Sequence, residues 1–193
     1  VENKKSKPLK GLIQPQKELV MTKWCGIEGT VRLAKEKETE LRTRYPRFFI
    51  EGAQRMKDFL SIEEEARLGK EYGVSVTKEV LKDGIFGALW ELGANADVGL
   101  TVDLKKIPIR QETVEICNFF DLNPYMLPSG GCLLLVTDYG NELVELLQKK
   151  KIPATVIGRI TAGCDRLIIN EEEKRYLEPP RTDELGKVFK ERR

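Results

Sequence analysis

The stretch Glu79-Val80-Leu81-Lys82-Asp83-Gly84-Ile85-Phe86-Gly87-Ala88-Leu89-Trp90-Glu91 constrains this chain most. A short polar segment turns at a glycine and runs into an amphipathic helix. Ile85, Ala88, Leu89 and Leu92 recur at i, i+3, i+4 and i+7, so one helical face is apolar and must pack on something. The first turn of such a helix exposes unpaired backbone N–H groups and the positive end of the helix dipole. That arrangement suits a phosphate. A helix start with a glycine before it is more often plain architecture.

Gly26-Ile27-Glu28-Gly29-Thr30 repeats the theme, with a helix expected over about 30–42. Pro46 suits the first turn of another helix, whose buried stripe is Phe49, Ala53, Met56 and Leu60. Ser61-Ile62-Glu63-Glu64 has capping-box spacing and opens a charged helix that Gly73 can end. Strands are expected at 18–24, 74–80, 100–104, 132–136, 154–160 and 166–169. Further helices are expected after Pro108 and over about 140–150, with a short last one from Asp183. Thr161 to Asp165 reads as a hairpin turn between the last two strands. Strands alternating with helices through the second half predict an α/β fold, a mixed β-sheet layered with α-helices.

Composition narrows the chemistry. The 193 residues carry a net charge of only +2, so no basic field calls for nucleic acid. There is no histidine, which removes a Ser-His-Asp triad and a histidine-ligated zinc site from this chain. Cys25, Cys117, Cys132 and Cys164 form no C-x-x-C pair and read as reduced thiols of a cytoplasmic protein. The longest apolar run, Cys132 to Val136, is far too short to span a membrane.

The ordered set of motifs resembles one known family. Gly84-Ile85-Phe86-Gly87-Ala88-Leu89-Trp90-Glu91 is followed by Gly99-Leu100, by Ile107-Pro108-Ile109-Arg110 with Glu112, and by Leu122-Asn123-Pro124. Ser129-Gly130-Gly131-Cys132-Leu133 and Ile157-Gly158-Arg159-Ile160 complete the series. Together with Leu19 to Trp24 and Gly26 to Thr30, this is similar to the C-terminal domain of the aminoimidazole ribonucleotide (AIR) synthetase superfamily. The nearest branch is the AIR synthase-related proteins and the hydrogenase-maturation dehydratases. The resemblance implies a domain at 18–180, a lead-in at 1–17 that links to an N-terminal ATP-binding domain, and a charged tail at 181–193. It implies ATP and Mg²⁺ held mainly by that N-terminal domain, which also commonly forms a homodimer. The chemistry implied is ATP-driven phosphoryl transfer onto a small phosphorylated or carbonyl-type substrate.

In this reading the chain contributes glycine-rich turns to a phosphate and substrate cleft. The candidate residues are Gly29, Thr30, Lys82, Asp83, Gly84, Ser129, Gly130 and Gly131, with no metal ligand and no catalytic residue among them. Lys23 and Arg159 are candidate phosphate-side charges by type alone. Two departures stand out. Family members often read Asp-x-Thr-Arg/Glu-Gly-Gly where this chain has Glu79, Leu81, Lys82, Asp83 and Gly84. The dehydratase branch reads Gly-Asp-His-Gly where this chain has Gly26-Ile27-Glu28-Gly29. The expectations are therefore an isolated chain without catalysis or, alternatively, a ligand-binding or regulatory domain that kept the fold and lost the site.

Overall fold

The computed structural model describes residues 11, 13–180 and 184–189. Their strands are β1 (Glu18–Thr22), β2 (Val76–Glu79), β3 (Gly99–Asp103), β4 (Leu133–Thr137), β5 (Ala154–Thr161), β6 (Arg166–Asn170) and β7 (Glu173–Tyr176). The helices are α1 (Ile27–Glu36), α2 (Glu38–Leu41), α3 (Arg47–Arg55), α4 (Glu63–Tyr72), α5 (Gly84–Ala96), α6 (Gln111–Phe120), α7 (Gly140–Lys149) and α8 (Glu184–Phe189). The strands form one sheet in the order β2-β4-β1-β5-β3-β6-β7. Only the β3–β6 pairing is parallel. The expected mixed sheet layered with helices is what this chain forms.

Strand alternation sorts the apolar residues onto two faces. Leu19, Met21, Leu134, Val136, Leu100 and Val102 face α5, which brings Ile85, Leu89 and Leu92 to the largest core. Val20, Leu133 and Leu135 point the other way, to Leu68 of α4 and Leu143 and Leu147 of α7. β5 keeps both sides supplied through a bulge. Its register against β1 shifts between Leu19 and Val20, so Ile157 and Ile160 both reach the α5 side. A third core joins α1, α3, α6 and α8 through Leu33, Ile50, Ala53, Ile116 and Leu185.

Several local expectations change in three dimensions. The segment 161–165 is no hairpin. β3 lies between β5 and β6, and the connection wraps the start of β3, where Leu100 N donates to Asp165 O (2.9 Å). The true hairpin is β6–β7, whose all-exposed Glu-Lys-Arg-Tyr strand has no apolar alternation to announce it. The helix expected at 30–42 begins at Ile27 and breaks at Lys37 into α1 and α2. α4 carries no side-chain cap, although Gly73 (φ 86°) ends it as expected. Of the lead-in, residues 1–10 and 12 lie outside the described residues. Ile13 is buried in the main core, and Gln16 and Lys17 are hydrogen-bonded to Ile160, so that part belongs to the domain.

Candidate functional site

The loop between α6 and β4 brings the three glycine turns together. Pro128 O accepts from Gly29 N (2.9 Å), and Ser129 Oγ accepts from Gly26 N (2.6 Å). Ser129 N donates to Leu81 O (3.2 Å), next to the Lys82–Gly84 turn. Gly130 N donates to Glu28 Oε2 (3.1 Å). The turns near 29, 84 and 130 are therefore neighbours, as a shared cleft wall requires.

They are not equally open. Thr30 is fully buried, and its hydroxyl donates to Gly26 O (2.7 Å) and contacts Thr113 Oγ1 (2.9 Å). Ser129 is also fully buried and donates to Leu127 O (2.8 Å). Gly29 lets α1 press on Leu127, because a Cβ there would overlap the leucine side chain. So the Gly29 amide and the Thr30 and Ser129 hydroxyls face protein partners, not a cleft. These three positions knit the loop to α1.

The α5 turn differs. Gly84 sits at φ 65°, where an added Cβ would lie 2.5 Å from Tyr125 O. Only glycine brings this turn so close to the loop. Gly84 N donates to Leu81 O (3.1 Å) and Gly87 N to Asp83 O (3.1 Å), while the Ile85 and Phe86 amides meet no acceptor among the described residues. Asp83 is the N-cap residue without a side-chain cap bond, and Lys82 is exposed with no ion pair among the described residues. Gly131, at φ 98°, packs on the carbonyl of Phe59.

Lys23 has a role its sequence context did not announce. It is buried, with its ammonium donating to Phe59 O (3.0 Å), Gly131 O (3.1 Å) and Ser61 O and pairing with the buried Glu65 carboxylate. It is a strut between β1, the start of α4 and the glycine loop, and is shielded from any phosphate. Beside it Arg110 lies over the Trp24 ring (5.0 Å) and grips Glu112 with two bonds of 3.1 Å. Hydrogen bonding from Arg110 holds the Glu112 carboxyl below its usual range. Arg159 points to solvent on the opposite side of the sheet from α5, opposite Glu18 in the β1–β5 ladder, away from the glycine turns. Burial pushes the thiols of Cys25 and Cys117 up to about 12 and that of Cys132 well up, so none of the three is a nucleophile near neutral pH. Among the described residues there is no acidic or cysteine cluster able to hold a metal ion, and no helix long and apolar enough to cross a membrane.

This layered domain, with helix tips and glycine turns gathered at one end, is a recognisable class. Residues 14–170 match the family described as AIR synthase related protein, C-terminal domain, and the chain belongs to that family. It is 27% identical over 94 residues to the carbamoyl dehydratase HypE of Rhodobacter capsulatus, covering 47% of this chain and 28% of that protein. It is 31% identical over 112 residues to the phosphoribosylformylglycinamidine synthase subunit PurL of Methanothermobacter marburgensis, covering 55% of this chain and 14% of that one. The crystal structure of E. coli HypE superposes with a TM-score of 0.74 at 14% identity, covering 93% of this chain and 55% of HypE. The chain thus spans well under two thirds of the relatives it matches.

Proposed function

We propose that this chain is the C-terminal part of an ATP-dependent AIR synthase-related enzyme, and that it supplies one wall of a phosphate and substrate cleft. The observation that carries the reading is the α5 turn: a positive-φ glycine, the first-turn amide of the half-buried Phe86, unpaired among the described residues, and an exposed lysine close together in the chain. Open amides at a helix start and a nearby cation are the physical requirements for a phosphate group. Lys82, Asp83, Gly84 and Gly130 border that point, and Gly29, Thr30, Ser129 and Gly131 hold its shape. ATP and Mg²⁺ would be bound mainly by a separate N-terminal domain, which would also carry the dimer contact.

Phosphoryl transfer needs charge stabilisation from several directions at once. One lysine and a helix tip do not provide it, so this chain alone is catalytically silent. The test is incubation with ATP and Mg²⁺, in which any turnover by the isolated chain overturns the reading. Titration with ribose 5-phosphate or pyrophosphate then measures the wall directly, with binding expected and weakened by Lys82→Ala.

A second reading has its own observation. Asp83 stands where an anion would dock, and the Glu28 carboxylate already occupies the Gly130 amide. Both disfavour a phosphate. A binding or regulatory domain that kept the fold would show no phosphate affinity even when an N-terminal domain is supplied.

A further inference from the structure

On the other side of Asp83 the same helix start borders a cleft of about 690 Å³. Its far wall comes from the segment after β6, which lies outside the family-matched residues. β7 pairs with β6, Leu177 N donates to Arg166 O (2.8 Å), and Leu177 is buried in the main core. The chain then passes Pro180 against Gly87 and reaches α8, whose buried Glu184 accepts from Asn123 N (3.0 Å). The strap is thus fixed to the domain on both sides of the cleft. The volume falls in the range of small-molecule sites, roughly 300–1,000 Å³.

The lining sorts by chemistry. Phe86, Met126, Ile168 and Leu177 make apolar walls. Phe86 is held by stacking on Tyr125, with centroids 5.1 Å apart and planes at 12°. Around them stand an acceptor, Asp83, and a donor, Arg175, neither in an ion pair among the described residues. The Asn123 side-chain oxygen is spent on Tyr125 N (3.0 Å), which leaves its amide hydrogens as donors. A plain hydrocarbon in this cleft would strip water from polar groups and return nothing to them. A polyanion would meet the carboxylates of Asp83 and Glu178. A flat ring whose edge carries both donors and acceptors satisfies walls and rim together.

We propose that this cleft is a binding site for a nucleobase-sized heteroaromatic ring, and that the strap from Arg175 to Pro180 selects it. The site needs no phosphate contact and stands or falls apart from the α5 phosphate wall. The experiment is saturation-transfer NMR on the full chain with adenosine and cytidine, two ring sizes without phosphate. Transfer to the ring protons is expected at millimolar ligand, with amide shifts centred on Gly87, Met126 and Leu177. Met126→Trp fills the cleft and should weaken binding at least about tenfold with an unchanged thermal midpoint. If that variant does not fold, Arg175→Ala, on the exposed hairpin strand, should weaken it several-fold. Absence of transfer from both nucleosides, or transfer undiminished in the folded variants, overturns the proposal. Ribose 5-phosphate, which has no ring of this kind, is insensitive to Met126→Trp and reports on the phosphate wall alone.

Discussion

The starts of α1 and α5 are the same sentence in sequence and opposite statements in space. Each is a glycine turn followed by an amphipathic helix, and each leans on the loop between α6 and β4. At α1, the loop fills the helix start: Pro128 O takes the Gly29 amide, Ser129 Oγ takes the Gly26 amide, and Leu127 occupies the surface that Gly29 leaves bare. At α5, the loop meets the turn through Gly84 against the Tyr125 carbonyl and the Met126 backbone and through Ser129 N on Leu81 O, but it gives the Ile85 and Phe86 amides no acceptor, and Phe86 is only half-buried. A glycine before a helix therefore signals close backbone approach, and what approaches decides whether the turn is architecture or a site.

The largest test of that contrast falls on the strut beneath the α1 end. Lys23→Met removes the cation that pairs with buried Glu65 and collects three carbonyls. A buried carboxylate left without its partner costs about 3–5 kcal/mol. Urea unfolding should show that loss, and Lys23→Met with Glu65→Leu should recover most of it. A loss under about 1 kcal/mol would mean the pair is solvated and the loop is held otherwise.

Next comes a pair of glycines that separates conformation from contact. Gly73 and Gly84 both have positive φ, but a Cβ at Gly73 meets nothing within 4 Å while one at Gly84 strikes backbone. Gly73→Ala should cost about 1–2 kcal/mol from the left-handed backbone alone. Gly84→Ala should cost about 2–4 kcal/mol because overpacking adds to it. Equal losses in denaturant titrations would show that the α5 turn can back away from the loop.

A crossed pair sharpens the functional side. Thr30→Val deletes a fully buried hydroxyl with two partners and should cost about 1–2 kcal/mol, leaving affinity for ribose 5-phosphate unchanged. Lys82→Ala should leave the unfolding midpoint alone and weaken that affinity. If Thr30→Val weakens binding as Lys82→Ala does, the α1 end is a ligand site after all and the comparison fails.

Much of this fold could be read before any coordinates, because helical and strand periodicities are local. The stripe Ile85, Ala88, Leu89 and Leu92 gave α5, and the alternation through Leu100 to Leu104 gave β3. The sheet order could not be read that way. Nothing in Thr161 to Asp165 says that β3 will slip between the strands it joins, since that is settled by a pairing some 60 residues away. β7 escaped for a different reason. An exposed edge hairpin buries none of Glu173 to Tyr176, so selection leaves no apolar pattern there. The candidate site was legible as a gathering of glycine turns. Which amides stay free was not, because their acceptors, Pro128 O and Glu28 Oε2, are supplied by tertiary packing. Lys23 misleads for the same reason: a lysine ahead of a glycine turn reads as a surface charge until Glu65 and three carbonyls close over it.

The smallest effect tests the edge of the strut region, where Arg110 clasps Glu112. The Glu112 carboxyl titrates below its ordinary value in the folded chain because Arg110 hydrogen-bonds the charged form. In the unfolded chain it takes up its proton first as the pH falls. The stability it contributes is therefore complete above the unfolded value, near about 4.3, and is lost as the pH drops through the folded one. Glu112→Gln should leave a shallower fall in the thermal midpoint over that acid window and a small loss at neutral pH. Arg110→Met should flatten the same window, since the shift originates in its guanidinium. An acid limb unchanged by both variants would show that the clasp is too well solvated to matter, and that the Trp24 platform is held by the ring contact with Phe59 (5.2 Å) rather than by charge.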